Sequence, residues 1–124
     1  MIYKAKLTSN GTEMSFLIEG DHLLDAHVNA KLKYNAEYYT KYNTSPKEIK
    51  VLSCDELISE GIIKSICQVG LILSNYYVLV ELVNGMLVDE IINISQAENL
   101  VKGDEVRLEL KLVADKLGIK SIKL

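Results

Sequence analysis

Apolar and polar residues alternate at the start of the chain, as they do in β-strands with one buried face. Residues 2–9 alternate, and residues 12–19 alternate again. Asn10 and Gly11, between them, accept the positive φ angles of a two-residue hairpin turn. The chain is therefore predicted to open with a β-hairpin.

An amphipathic α-helix is predicted directly after this hairpin. Asp21 is a suitable N-cap, and apolar residues follow it at helical spacing. These residues are Leu24, Val28 and Leu32, with Ala26 and Ala30 nearby. The spacing predicts a helix that runs to about residue 39, with this stripe as its apolar face.

A loop, a short strand and a short helix are predicted next. Residues 40–47 are polar and contain the only proline, and residues 48–52 form a short strand. Ser53 and Glu56 have the spacing of a capping box, in which each side chain bonds a backbone N–H of the first helical turn. Gly61 is the predicted end of that helix.

The longest β-rich stretch, residues 67–95, is the one around which the rest is predicted to pack. Its strand at residues 77–83 is β-branched, aromatic and apolar, as in a strand buried on much of both faces. Asn84 and Gly85 predict a type I′ turn, after which residues 86–94 return as a strand.

The capping pattern recurs forty-two residues later, ahead of a final pair of strands. The residues in register are Ser53, Glu56 and Gly61 with Ser95, Glu98 and Gly103. Either a distant duplication or two independent capped turns explains the match. Residues 104–113 then alternate cleanly, residues 115–118 are a predicted turn, and residues 119–124 form the last strand.

These elements predict an α+β fold in which a hairpin, helix and strand precede a β-rich second half. At 124 residues the chain is expected to form one compact domain, with two subdomains at residues 1–62 and 63–124 as the alternative. A small barrel and a mixed sheet both fit the second half.

Composition and charge narrow the function classes. The net charge is −3, and Arg107 is the only arginine among fourteen basic residues, which argues against strong nucleic-acid binding. Neither a signal peptide nor a membrane-spanning run is found, which predicts a cytoplasmic protein. Cys54 and Cys67 are then expected to be reduced, and no zinc site or other cofactor is predicted.

The first half resembles a family of small uncharacterised proteins of gut bacteria and their phages. The resemblance rests on the opening residues 3–6, the hairpin, the helix after Asp21, and the strand that ends in Glu56 and Leu57. It implies a phage or mobile-element setting but no particular chemistry.

The second half is similar in element order to an OB-fold, a small five-stranded barrel. The similarity includes a Leu-x-x-Gly-Asp-x-Val pattern that precedes the penultimate strand, here Leu100, Gly103, Asp104 and Val106. An OB-fold implies a barrel with an oligonucleotide-binding face, and a mixed α+β sheet is an equal competitor.

The residues that could perform catalysis are few, which predicts that the chain is not an enzyme. His22 and His27 are five residues apart on the predicted helix, so they point in different directions and cannot share a metal. Asp89 and Glu90 are adjacent in a strand and point to opposite faces, so they do not form an acid–base pair.

Tyrosines and nearby cations form the candidate interaction surface. Its members are Tyr34, Tyr38, Tyr42, Tyr76, Tyr77, Arg107 and Lys111. These tyrosines could cover the edge of the core, form a protein interface, or stack the bases of a single-stranded nucleic acid. The leading hypothesis is a non-enzymatic protein-binding accessory module, which binds a partner or a second copy. The alternative is an OB-like protein that binds single-stranded nucleic acid, favoured if Tyr76, Arg107 and Lys111 share one face.

Overall fold

The computed structural model describes residues 1–70, 75–93 and 99–124, and these form an α+β protein. The described elements are β1 (Ile2–Ser9), β2 (Thr12–Glu19), α1 (Leu23–Tyr42), β3 (Lys50–Glu56), β4 (Glu60–Gln68), β5 (Asn75–Leu82), β6 (Leu87–Asn93), β7 (Glu105–Val113) and β8 (Lys116–Lys123). They divide into two compact units, unit 1 (Met1–Leu57) and unit 2 (Ile58–Leu124).

Unit 1 is an antiparallel sheet of order β2-β1-β3. The predicted hairpin is confirmed, with Ser9 paired to Thr12 across the turn. Asn10 and Gly11 both have positive φ angles, 50° and 79°, as a type I′ turn requires. The period-2 pattern and the turn residues thus specify the same hairpin.

Helix α1 packs on one face of this sheet. The buried core consists of Tyr3, Ala5, Leu7, Ile18, Ala26, Ala30 and Tyr34. The N-cap is His22 rather than the predicted Asp21, because its ring Nδ1 accepts the backbone N–H of Asp25 at 3.3 Å. The helix continues to Tyr42 and ends at Asn43, whose φ of 55° is left-handed.

The predicted apolar face of α1 is not the face that packs on the sheet. Leu24, Val28 and Leu32 are 69%, 51% and 64% exposed. Ala26 and Ala30 are fully buried instead, because their small side chains let the helix backbone approach the sheet closely. Tyr34 on the same side fills the remaining space.

The predicted helix at residues 53–60 is also wrong. Ser53 and Glu56 lie in β3 and pair with Lys6 and Tyr3 of β1. Pairing with β1 satisfies the same backbone groups that a capping box would satisfy, so the sheet overrides the local signal. Ser95 and Glu98, which define the second capping pattern, lie outside the described residues.

Unit 2 is a five-stranded antiparallel sheet of order β6-β5-β4-β7-β8. Its central strand is β4, which contains Gly61 and pairs with both β5 and β7. Strands β6 and β8 are the two edges and lie near each other, but no backbone ladder joins them in the described part of the chain. The sheet is therefore curled without being a closed barrel.

The hairpin between β5 and β6 turns at the predicted residues but in a different conformation. Gly85 has a positive φ of 89°, whereas Asn84 does not. The Gly85 N–H donates to the Leu82 carbonyl at 2.9 Å, and the Leu82 N–H donates to the Met86 carbonyl at 2.8 Å. This pattern fits a type I turn followed by a glycine bulge rather than the predicted type I′ turn.

The turn between β7 and β8 consists of Ala114 and Asp115, and residues 116–118 belong to β8. Both turn residues have positive φ angles, 49° for Ala114 and 63° for Asp115. A side chain at a left-handed position costs about 1–2 kcal/mol, and asparagine tolerates it best after glycine.

We therefore expect Ala114→Asn to raise the free energy of unfolding by about 0.5–1 kcal/mol. Urea titration monitored by circular dichroism would measure the gain. Ala114→Val is the control, because a β-branched side chain disfavours this conformation and should lower the midpoint. Equal urea midpoints for the two variants would contradict the conclusion that the backbone is strained at Ala114.

Candidate functional site

The predicted interaction residues divide between the two units. Tyr34, Tyr38 and Tyr42 form a row on α1, with ring centroids 5.9 Å apart for the first pair and 4.6 Å for the second. Tyr34 is fully buried, and its hydroxyl donates to the Thr12 carbonyl. The structure therefore places Tyr34 in the core, and its prediction as a surface residue is wrong.

Burial raises the pKa of the Tyr34 hydroxyl above that of tyrosine in an unfolded chain, about 10. A raised folded-state pKa contributes stability that is complete below pH 10 and is lost as the pH rises through the folded pKa. We expect the native chain to lose stability relative to Tyr34→Phe above about pH 10. Urea midpoints across an alkaline series would show this, and a constant difference between the two proteins would contradict it.

Tyr76 and Arg107 lie at opposite ends of the sheet of unit 2. Tyr76 pairs with Gln68 at one end of β4, and Arg107 pairs with Glu60 at the other end. Eight residues of extended strand span about 26 Å. Tyr76 and Tyr77 are adjacent in β5 and point to opposite faces. The condition that would favour the nucleic-acid alternative is therefore not met.

An apolar surface lies on the outer face of β4, β5 and β6. We call it the outer-sheet patch, and it consists of Ile62, Tyr77, Leu79, Leu87 and Ile91. Ile62, Leu87 and Ile91 are 44%, 62% and 59% exposed. Tyr77 is paired directly with Ile91, and Glu81 is paired with both Leu87 and Ile62, so these side chains share one face.

Two polar contacts lie within the outer-sheet patch. The Tyr77 hydroxyl donates to Asp89 Oδ2 at 3.0 Å, and this hydrogen bond raises the pKa of Tyr77. Lys64 Nζ lies 3.0 Å from Glu81 Oε2. The hydroxyl of Tyr77 is therefore held neutral, and Lys64 is paired to an acid within the same face.

Glu90 links the two edges of the sheet. Its Oε2 accepts the backbone N–H of Ile119 in β8 at 3.3 Å and lies 3.3 Å from Lys111 Nζ in β7. Gly118 lies beneath this pair, since a Cβ there would be 2.7 Å from Glu90 Oε2. Lys111, a predicted site residue, is thus paired with Glu90. The pair lies where β6 and β8 approach each other, a region that we call the seam.

Two shallow cavities of about 260 and 230 Å³ open at this seam. Asp89, Glu90 and Lys116 line both of them. Asp89 is bonded to Tyr77 and Glu90 to Lys111, so the adjacent carboxylates have separate partners. The contacts of Glu90 join β6 to β7 and β8.

The sequence contained one signal for the outer-sheet patch. Leu87, Val88, Ile91 and Ile92 put apolar side chains on both faces of β6. A strand in a sheet with one solvated face needs apolar side chains on its buried face only. The link made by Glu90 had no such signal, because it joins strands that are distant along the chain.

No group of three His, Cys, Asp or Glu side chains among the described residues is arranged to hold a metal ion. Both cysteines are free thiols, with Cys54 partly buried and Cys67 exposed. Burial raises the pKa of the Cys54 thiol, so less of the reactive thiolate is present at neutral pH.

We therefore expect iodoacetamide to modify Cys67 several times faster than Cys54 in the folded protein. Peptide mass spectrometry at timed intervals would measure both rates. The control is the same reaction in concentrated urea, where the two rates should converge. A faster reaction at Cys54 in the folded protein would contradict this placement.

No protein family, curated protein or solved structure matched this chain when it was compared with each. In the described part of the chain, no helix has the length and apolar character needed to cross a membrane.

Proposed function

We propose that this chain is a non-enzymatic protein-binding module that docks through the outer-sheet patch. The observation that carries the proposal is the exposure of Ile62, Leu87 and Ile91 together on one sheet face. An antiparallel sheet with a solvated face normally carries polar side chains there. Apolar side chains clustered on such a face indicate a surface that a partner covers.

The chemistry of the patch favours a protein over a nucleic acid. Tyrosine surrounded by aliphatic side chains is typical of the centre of a protein interface. The acids Glu81 and Asp89 on this face would repel phosphates, and the cation Lys64 is paired with Glu81. Arg107 lies at the far end of β4 from Tyr76.

The strand order supports a second candidate function. In unit 2 the first strand, β4, pairs with the second and the fourth, and the third and fifth are the edges. This is the order of an OB-fold, whose second and third strands present an oligonucleotide-binding face. The turn before β7 also fits, because the Val101 N–H donates to Asp104 Oδ2 at 2.9 Å and Gly103 has a φ of 94°. An OB-like unit that binds single-stranded nucleic acid is therefore the alternative.

We also propose a phage or mobile-element setting for the module, an expectation that rests on the sequence pattern of its first half alone. An inhibitor, an adaptor or a particle component would each need a small protein with one docking face. The proposal requires no cofactor.

Ile91→Glu tests the proposal, because it replaces an exposed apolar side chain of the patch with a charge. The matched control is Val101→Glu, since Val101 is 58% exposed and lies outside the patch. The native chain and the two variants are each used to capture partners from a lysate of the cells that produce this protein. Quantitative mass spectrometry measures how much of each captured protein is retained. A partner retained by the native chain and by Val101→Glu, but lost with Ile91→Glu, would support the proposal.

The second test measures binding of the chain to labelled single-stranded DNA and RNA. Binding that weakens steeply with salt and is lost in Tyr77→Ala would support the alternative and overturn the proposal. Capture that Ile91→Glu and Val101→Glu reduce equally would also overturn it.

A further inference from the structure

The carboxylate of Asp89 lies among the apolar side chains of the outer-sheet patch. Asp89 pairs directly with Leu79 of β5, so these two side chains share a face of the sheet. Leu87 and Ile91 are two residues away on either side in β6, so they lie on that face as well. The half-buried Asp89 side chain therefore has three apolar members of the patch as its neighbours.

The contacts of Asp89 differ from those of the other acid on this face. Glu81 Oε2 lies 3.0 Å from Lys64 Nζ, so its charge is paired. Asp89 Oδ2 instead accepts a hydrogen bond from the Tyr77 hydroxyl at 3.0 Å, and this neutral donor brings no positive charge. The other carboxylate oxygen, Oδ1, is left for a further donor.

The cations at the seam do not pair with Asp89 either. Lys111 Nζ lies 3.3 Å from Glu90 Oε2. Lys116 lines the same two cavities as Asp89, but none of the ion pairs among the described residues joins the two side chains. Within the described part of the chain, Asp89 is thus a carboxylate on an apolar surface without a cation of its own.

A partner that covers the outer-sheet patch must also cover this carboxylate. Removing an ionised carboxylate from water is costly unless a cation or several hydrogen-bond donors replace the lost hydration. A wholly apolar partner would leave the charge buried and unpaired. A partner with a lysine or an arginine beside apolar side chains would pair with Oδ1 and cover Leu87 and Ile91 at the same time.

We propose that Asp89 selects the partner of the outer-sheet patch, and that this partner is a protein segment with a lysine or an arginine among apolar side chains. The inference rests on the function proposed above and adds the chemistry of the partner to it. Asp89 sets the specificity by charge, because an acidic segment is repelled and a wholly apolar one leaves the carboxylate unpaired.

A library of linear peptides of random sequence, presented by mRNA display, is the probe that tests this inference. The library is selected on the full-length native chain and, in parallel, on Asp89→Asn. Asparagine has the same shape as aspartate, and its amide oxygen can still accept the Tyr77 hydroxyl, so this variant removes the charge alone. We expect the native chain to enrich peptides with a basic residue between apolar residues, and Asp89→Asn not to enrich them.

Isothermal titration calorimetry with a selected peptide measures the size of the effect. We expect Asp89→Asn to weaken binding about tenfold or more. Glu81→Gln is the matched control, because Glu81 lies on the same face but is already paired, and it should change the affinity less than about twofold. Replacing the basic residue of the peptide with norleucine should weaken binding to the native chain but not to Asp89→Asn, which assigns the loss to this one pair.

Circular dichroism of Asp89→Asn shows whether the sheet is retained, so that a lost affinity reports the contact itself. Selected peptides without a basic residue, or peptides that bind Asp89→Asn as tightly as the native chain, would overturn the inference. If such peptides still lose their affinity for Ile91→Glu, the docking function stands and only the role of Asp89 fails. If no selected peptide depends on Ile91, the docking surface and the role of Asp89 both fail.

Discussion

Tyr34→Ala is expected to lower the free energy of unfolding of unit 1 by about 3–5 kcal/mol. The side chain is fully buried among the sheet residues and stacks on Tyr38. Its removal would leave a large cavity at the centre of a small core, and the Thr12 carbonyl would lose its donor. Because small domains have little stability to spare, this variant should leave unit 1 largely unfolded.

Hydrogen exchange measured by NMR would localise the effect, since the amides of Ala26 and Ala30 lie on the packed side of α1. Tyr34→Phe keeps the ring and should cost only about 1–3 kcal/mol. Tyr39→Ala is the control, because Tyr39 lies on the same helix and is exposed. A loss of protection in Tyr39→Ala equal to that in Tyr34→Ala would contradict the assignment of Tyr34 to the core.

Gly61→Ala is expected to destabilise unit 2 by about 3 kcal/mol. Gly61 lies in the central strand β4, where a Cβ would collide with the Glu81 carbonyl oxygen of β5 and would lie 2.8 Å from Val80 Cγ1. The obstacle is backbone of a paired strand, so β4 and β5 would have to separate. Thermal unfolding of unit 2 should shift downward by several degrees.

Gly118→Ala is the matched control for this prediction. A Cβ at Gly118 would also approach closely, but the atoms it meets are the ends of the Glu90 and Lys111 side chains. Flexible side chains can move aside, so we expect a loss of about 1 kcal/mol or less. A larger loss in Gly118→Ala than in Gly61→Ala would show that side-chain ends, not the β4–β5 backbone contact, limit unit 2.

Gly61 also lies in a region where the local sequence signal predicted the wrong secondary structure. The capping pattern of Ser53 and Glu56, followed by a glycine, predicted a short helix, yet the chain forms β3 and β4 there. A cap stabilises a helix end by about 1 kcal/mol. Pairing along the neighbouring strand satisfies more backbone groups than the cap does, so the sheet prevails.

In the candidate site, too, local sequence signals were not enough to tell buried residues from exposed ones. The sequence named Tyr77 and Lys111, and the structure places Tyr77 in the outer-sheet patch and Lys111 at the seam beside Glu90. The sequence also predicted Tyr34 as a surface residue because it is an aromatic ring on a helix, but a ring at the core edge and a ring in an interface have the same local pattern. Which tyrosine is buried depends on the sheet that packs against α1.

The sequence by itself determined the opening hairpin, the presence of α1, and the strands that end the chain. Each of these rests on a period or a turn signal within about twenty residues, and such signals act wherever the segment lies. Tertiary structure alone decided which face of α1 is buried, that β4 is the centre of unit 2, and that Ile62 and Ile91 share a surface. These outcomes depend on contacts between segments that are far apart in the chain. Hydrophobic periodicity describes a single segment, whereas packing depends on which other segment lies against it.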